Sequence, residues 1–149
     1  MSRRRGGAAA LVLAVVTVLV ACGPSKEARE RDRIVHALDA MRDGLTAPDV
    51  DGGASNDALA AKRRLVDALA SQPADQPKAA LARDACVEAY RPMLEAEEIQ
   101  IAVRDELAGG ADPSAPMYAR LLEAETHINR SAAAMPACES ASVALRLAR

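Results

Sequence analysis

The chain has 149 residues, a length that suits a single domain, and its 19 Lys and Arg against 21 Asp and Glu leave a net charge of −2. This near-neutral balance argues against a nucleic-acid partner, because such proteins carry a strong basic patch. An aromatic content of 1%, with no Trp or Phe, argues against sites that bind sugars or single-stranded nucleic acids by stacking. The three cysteines cannot all pair within the chain, since one is left over.

Residues 1–21 have the organisation of a secretory signal peptide. Three arginines at positions 3–5 precede a largely apolar run from Ala8 to Val20, and small residues follow. A positive segment followed by an apolar one is typical of a cleaved signal, and this run is short for a membrane-spanning helix. The alternative is an uncleaved membrane anchor.

The end of this segment, Leu19-Val20-Ala21-Cys22, resembles the lipobox of bacterial lipoproteins, in which aliphatic and small residues precede a Cys. The resemblance covers only the signal region. It implies cleavage before Cys22, a diacylglyceryl group on the Cys22 thiol and acylation, for instance with palmitate, of the new α-amine. Two or three acyl chains anchor a protein durably in membrane lipid, whereas a single chain exchanges.

The resemblance also implies a location in the cell envelope. Gly23 follows the lipidated Cys and is not the Asp linked to inner-membrane retention in enteric bacteria. In a Gram-negative host we therefore expect an outer-membrane lipoprotein that faces the periplasm. The expected organisation is a signal peptide at 1–21, a lipidated Cys with a short tether at 22–26, and a helical domain at 27–149.

Two amphipathic helices are predicted in the first half of this domain. The first runs from Lys26 to Leu45 and ends in a stretch, 46–56, that contains Pro48 and two glycines. The second runs from Asp57 to Ser71 and ends at Pro73. The side chains at helical spacing are Ile34, Leu38, Met41 and Leu45 in the first, and Ala58, Leu59, Lys62, Leu65, Val66 and Leu69 in the second.

Two longer helices are predicted in the second half. The third runs from Pro77 to Ala108, and the fourth opens at Asp112-Pro113-Ser114 and extends to the end of the chain. One stripe predicted for the third consists of Cys86, Tyr90, Met93, Leu94, Glu97 and Ile101, and a neighbouring stripe consists of Ile99, Val103 and Leu107. Those predicted for the fourth are Leu121, Ala124, Ile128, Ser131, Met135 and Cys138.

Four such helices with short connections predict an all-α fold, an antiparallel four-helix bundle. Pro92 in the third helix and Pro136 in the fourth are expected to kink or interrupt them, because proline cannot donate the helical hydrogen bond. The many inward-facing alanines predict a core of modest energy, which makes a covalent cross-link useful.

Cys86 and Cys138 are predicted to form that cross-link. Each lies 26 residues from Asp112, at the centre of the predicted loop, so an antiparallel pair of helices would place them side by side. An exported protein meets an oxidising compartment, where such a pair is normally joined. The alternative is two buried free thiols.

The two histidines raise the question of a metal site. Asp32 precedes His36 by four residues and Glu123 precedes His127 by four, so each His shares a helix face with a carboxylate. Two such pairs on facing helices would suit a divalent metal, but ordinary surface pairs are the favoured interpretation. No cofactor is predicted.

Two clusters of charge have plain interpretations as solvated faces. Glu95, Glu97 and Glu98 point in different directions on a helix, which does not favour acid–base catalysis. On the first helix, Lys26, Arg29 and Arg33 share a face that would suit anionic lipid. Acidic residues alternate with them along the sequence, so a mixed solvated face is favoured.

The function predicted from the sequence is that of a non-enzymatic, membrane-anchored lipoprotein, acting through protein contacts or as a structural component of the envelope. The alternative is a periplasmic helical bundle that binds a small ligand or a metal. No phosphate loop, nucleophile elbow or zinc-ligand spacing is present in the sequence.

Overall fold

The computed structural model describes residues 24–46 and 55–148, and in these two ranges the chain forms four α-helices and no strands. The helices are α1 (Lys26–Thr46), α2 (Asn56–Ala70), α3 (Pro77–Ala108) and α4 (Ala115–Arg146). The all-α prediction is confirmed, and the predicted bounds agree with these to within a few residues. The predicted signal peptide and Cys22 lie outside the described residues.

Local residue chemistry explains where the helices begin. Ser25 Oγ accepts a hydrogen bond from the backbone N–H of Ala28, and Ser55 Oγ accepts one from Ala58, each at 3.1 Å. These bonds satisfy N–H groups that have no partner within the helix. Pro77 opens α3, where its missing N–H costs nothing. Ser114 precedes α4 as predicted, but its side chain makes no capping bond.

The helices pack as a bundle in which α3 and α4 share the most extensive contact. Helix α1 contacts all three others, whereas α2 contacts α1 and α3 and, within the described residues, does not reach α4. The large apolar side chains of the core are contributed mainly by the first three helices. Those of α1 to α3 are Ile34, Leu38, Met41, Leu59, Val66, Leu69, Val87, Leu94, Ile101 and Val103, and α4 adds Met117 and Leu145.

Helix α3 lies against its neighbours through small side chains. Four of its alanines are at most 2% exposed: Ala79, Ala82, Ala89 and Ala96. A methyl group at these positions allows the helix axes to approach closely, although each contact buries little apolar area.

Helix α4 buries a narrower stripe than the sequence predicts. Its buried residues recur at steps of seven, as Met117, Ala124, Ser131, Cys138 and Leu145, with Ala141 between the last two. A seven-residue repeat is typical of a helix that packs along one neighbour. The prediction that Leu121 and Ile128 belong to the core is wrong, because these side chains are 40% and 44% exposed.

Leu121 and Ile128 remain exposed because α1 does not extend along the first half of α4. Its contacts with α4 fall near the C-terminal end of that helix, where Arg146 binds Asp39 and Arg31 donates to the Ala148 carbonyl oxygen. Residues in the first half of α4 therefore have α3 as their packing partner, and side chains beside that contact remain open to solvent.

The prolines do not interrupt the long helices. Pro92 lies inside α3 and Pro136 inside α4, and both helices continue through them. The possibility of a break, raised by the missing proline N–H, is therefore not realised at either position.

Glu30 is the one buried carboxylate among the described residues, at 1% exposed. Its Oε1 accepts a hydrogen bond of 2.7 Å from the backbone N–H of Gln76, the residue before α3. A buried polar group is tolerated when it is hydrogen-bonded. Glu30 therefore fixes the start of α3 against the first helix.

Candidate functional site

The structure brings together the two cysteines whose pairing the sequence predicts. Cys86 in α3 and Cys138 in α4 lie at disulfide-bonding distance, with 4.4 Å between their Cα atoms and 52 residues between them in the chain. Both are buried, at 0% and 5% exposed, and Ser142 Oγ lies 3.4 Å from Cys86 Sγ. Burial withdraws the pair from solvent, so its expected role is a structural cross-link.

Helix α1 begins close in sequence to the predicted lipid site. Cys22 itself lies outside the described residues, but Lys26 is already helical. The four residue steps from Cys22 to Lys26 can extend over at most about 14 Å. None of the described helices is long and apolar enough to cross a bilayer.

The two histidines have different neighbours. Nδ1 of His127 lies 2.9 Å from Glu95 of α3, and its Nε2 lies 3.9 Å from Glu123, the predicted partner. His36 borders a depression that is lined by three basic residues of α1 and by Asp32, and it interacts electrostatically with Asp39. Its predicted partner, Asp32, accepts hydrogen bonds from Arg31.

The two pairs therefore do not share a set of ligands. Within the described ranges, no group of three or more His, Cys, Asp or Glu side chains is arranged to hold a metal ion.

Each member of the acidic cluster in α3 has its own basic partner. Glu97 pairs with Lys62 of α2 at 2.7 Å, and Glu98 binds Arg63, also of α2. Glu95 faces His127 on the opposite side, toward α4. Three carboxylates that point to three partners hold the helices together, and they do not converge on a substrate.

Ion pairs also connect α1 with the end of α4. Arg146 binds both carboxylate oxygens of Asp39, at 2.6 and 3.3 Å. The hydrogen bond from Arg146 lowers the pKa of Asp39 below its usual value. The pair is partly exposed, so its contribution to stability is small.

A first candidate for a binding surface is an apolar one on α4. It consists of Tyr118, Leu121, Leu122 and Ile128, which are between 40% and 64% exposed; we call these residues the α4 apolar surface. Exposed apolar groups that cluster on one helix face are typical of protein contact sites. This surface is not predicted from the sequence, because the helical spacing of Leu121 and Ile128 indicates that both side chains face the core. Met117 and Ala124, seven residues apart in the sequence, are the signal that distinguishes the buried face of α4 from its exposed apolar face.

A second candidate is a basic one on α1. Lys26, Arg29, Arg33 and His36 are all exposed and line one open depression of about 670 Å³; we call these four residues the α1 basic face. Asp32 lines the same depression. The first three of these residues are predicted from the sequence to share a face, and His36 adds a fourth position at the same spacing of three and four residues.

A third depression, of about 540 Å³, lies beside α3 and has mixed charge. Arginines at 83, 91 and 130 alternate there with acidic residues at 84, 88 and 95. Opposite charges this close neutralise one another, so the depression offers no net attraction to a charged ligand.

No protein-family model, no curated protein and no solved structure matches the chain.

Proposed function

We propose that this chain is a bacterial lipoprotein whose helical bundle is held in the cell envelope by acyl chains on Cys22. The lipobox-like sequence Leu19-Val20-Ala21-Cys22 is the observation that carries the proposal. Two structural observations support it. An ordered helical domain begins at Lys26, directly after the proposed tether, and a buried cysteine pair at bonding distance suits an exported protein.

The proposal includes an antiparallel arrangement of the bundle. Three contacts between α3 and α4 support it: Glu106 with Arg120, Glu95 with His127, and Cys86 with Cys138. Positions that come earlier in α3 contact positions that come later in α4, as expected when the two helices run in opposite directions. We also propose that α3 and α4 bend at Pro92 and Pro136, where one helical hydrogen bond is lost.

The proposed role of the domain is non-enzymatic and operates through contact with another envelope protein. The α4 apolar surface supports this role, since Tyr118 and Leu122 are 60% and 64% exposed to solvent. Apolar area that remains exposed in the free protein is removed from water when a partner binds. Membrane anchoring restricts such a partner to the envelope.

Replacing the lipid attachment site tests the anchor. In the native host, we expect wild-type chain to remain in washed membranes with Cys22 as an acylated N-terminus. Cys22→Ser should instead be released or retain its signal peptide, because no thiol is available for acylation. The measurement is mass spectrometry of the membrane and soluble fractions.

Pro24→Ala is the matched control for this change, since it alters the tether and leaves the lipobox intact. It should behave as the wild type. An unmodified wild-type chain that still begins at Met1, or a Cys22→Ser chain held in membranes as an acylated protein, would contradict the anchor.

A photo-crosslinking experiment tests the contact surface. A crosslinker placed at Ala119, beside the α4 apolar surface, should give a discrete adduct with an envelope protein in intact cells. Leu122→Asp should reduce that adduct at least severalfold, because binding would bury its charge. The matched control is Leu81→Asp on α3, which has a similar exposure of 61% against 64% for Leu122. An adduct of equal yield in both variants would show that the surface is not the contact.

A further inference from the structure

The α1 basic face has a regular helical geometry. Its members stand at positions 26, 29, 33 and 36, so steps of three and four residues keep them on one side of the helix. They extend over eleven residues, or about 15 Å along the axis. All four are exposed and border the same depression. This face begins where the proposed tether ends.

The acidic residues that alternate with these positions in the sequence neutralise the face only in part. Asp32 lines the same depression and Glu30 interacts electrostatically with Lys26, but both carboxylates are hydrogen-bonded elsewhere. Glu30 is buried and bonded to the Gln76 N–H. Asp32 is held by Arg31, which reaches toward the end of α4. Glu27 lines a different depression, with Lys78 and Leu145. The fold thus separates charges that the sequence interleaves.

The positive charge of the face is largely available to a partner. Lys26 shares its charge with Asp75 of the α2–α3 loop, at 2.9 Å, but both side chains are well exposed. Arg29 and Arg33 form no close ion pair within the described parts of the chain, although Asp75 also interacts electrostatically with Arg33. Two such guanidinium groups on a rigid helix suit bidentate hydrogen bonding to anionic groups such as phosphate.

We propose that the α1 basic face docks on anionic phospholipid head groups of the membrane that holds Cys22. This inference rests on the proposed lipid anchor and adds an orientation to it. A tether of at most about 14 Å keeps the face within reach of the head groups. Because the anchor makes docking intramolecular, individually weak contacts to Arg29 and Arg33 are sufficient to select one orientation.

Docking has a geometric consequence at the far end of the bundle. Helix α3 has 32 residues and is therefore about 48 Å long, with the α3–α4 loop at its far end. A bundle that lies on α1 keeps this loop close to the bilayer. A bundle that stands on its tether carries the loop tens of ångströms away.

The distance of the α3–α4 loop from the bilayer surface therefore tests the proposed orientation. The full lipidated protein is reconstituted in vesicles, with a dye attached through an azido side chain at Ala111, and energy transfer to a head-group dye reports its distance from the bilayer. We expect a low loop in vesicles rich in phosphatidylglycerol and a high loop in phosphatidylcholine. Added salt should raise the loop, since it screens exposed charges.

Charge variants connect this result to the proposed face. Arg29→Gln/Arg33→Gln should lower the equilibrium constant for docking on phosphatidylglycerol about 30-fold, because each arginine near a membrane surface contributes to the attraction. Arg91→Gln/Arg130→Gln removes the same charge from the depression of mixed charge and should leave the loop height unchanged. An equal loop height in both lipids, or equal effects of the two double variants, would overturn the inference.

The acyl mass on Cys22, measured in the same preparation, distinguishes the two levels of the proposal. If Cys22 carries no acyl group, the proposed anchor is wrong and this inference is wrong with it. If Cys22 is acylated and the loop height is the same in phosphatidylglycerol and phosphatidylcholine, the anchor stands and only the docked orientation is overturned.

Discussion

Reduction of the cross-link between Cys86 and Cys138 is expected to lower the melting temperature of the protein by roughly 10–20 °C. The two cysteines are 52 residues apart in the chain, so the cross-link closes a long loop in the unfolded state. In the chain-entropy model, closing a loop of this length stabilises the folded protein by about 4 kcal/mol. A bundle with an alanine-rich α3 has little other stability with which to offset that loss.

Calorimetry with and without a reductant measures this effect. Cys86→Ala/Cys138→Ala should melt at a temperature close to that of the reduced wild type. The reductant should leave the melting temperature of this double variant unchanged, which excludes an effect on any other group. Free thiols from Cys86 and Cys138 that titrate in the native, oxidised protein would contradict the cross-link.

The second large effect is a difference in the free energy of unfolding between two isoleucine-to-alanine variants, at positions that the sequence predicts to be equally buried. Ile34→Ala should lower the free energy of unfolding by about 2–5 kcal/mol, because Ile34 is fully buried and its removal leaves a cavity. Ile128→Ala should lower it by less than about 1 kcal/mol, because that side chain is 44% exposed. Both residues occupy apolar stripes that the sequence predicts to face the core.

Urea unfolding of the two variants, followed by circular dichroism, provides the comparison. Both substitutions replace isoleucine with alanine in a helix, so helix propensity contributes equally and the difference reports burial. Losses of equal size would mean that the first half of α4 is packed as tightly as α1, contrary to the structure.

Helix positions were predictable because the signals for them are local. Pro77 and Gly109 enclose α3 within a few residues of its ends, and the run of Gly and Pro after Thr46 ends α1. Apolar spacing of three and four residues then identified the buried face of α1, where Ile34, Leu38 and Met41 are all at most 4% exposed. These features depend on a residue and its near neighbours in the chain.

The buried face of α4 was predicted only in part, because it depends on which helices lie beside it. Ala124, Ser131 and Cys138 are buried as expected, whereas Leu121 and Ile128 are not. Apolar spacing identifies a stripe but does not show how wide a surface the neighbouring helices cover. The α4 apolar surface follows directly from that difference.

The partners of the charged side chains could not be predicted from the sequence either. Lys62 and Glu97 both stand on stripes that looked inward-facing, and the fold joins them at 2.7 Å with each side chain only about 15% exposed. Glu30, in a segment of alternating charge, is buried against Gln76. Partners 35 and 46 residues away leave no local pattern to recognise.

The sequence by itself determined the helical class, the helix bounds, the candidate lipid site at Cys22 and the expectation that Cys86 meets Cys138. Each of these depends on short-range propensity, a compact motif or equal distances from one loop. Only the tertiary structure decided which charges remain unpaired on α1 and which apolar residues remain exposed on α4. Exposure is a property of the neighbours that a helix acquires on folding, and those neighbours come from distant parts of the chain.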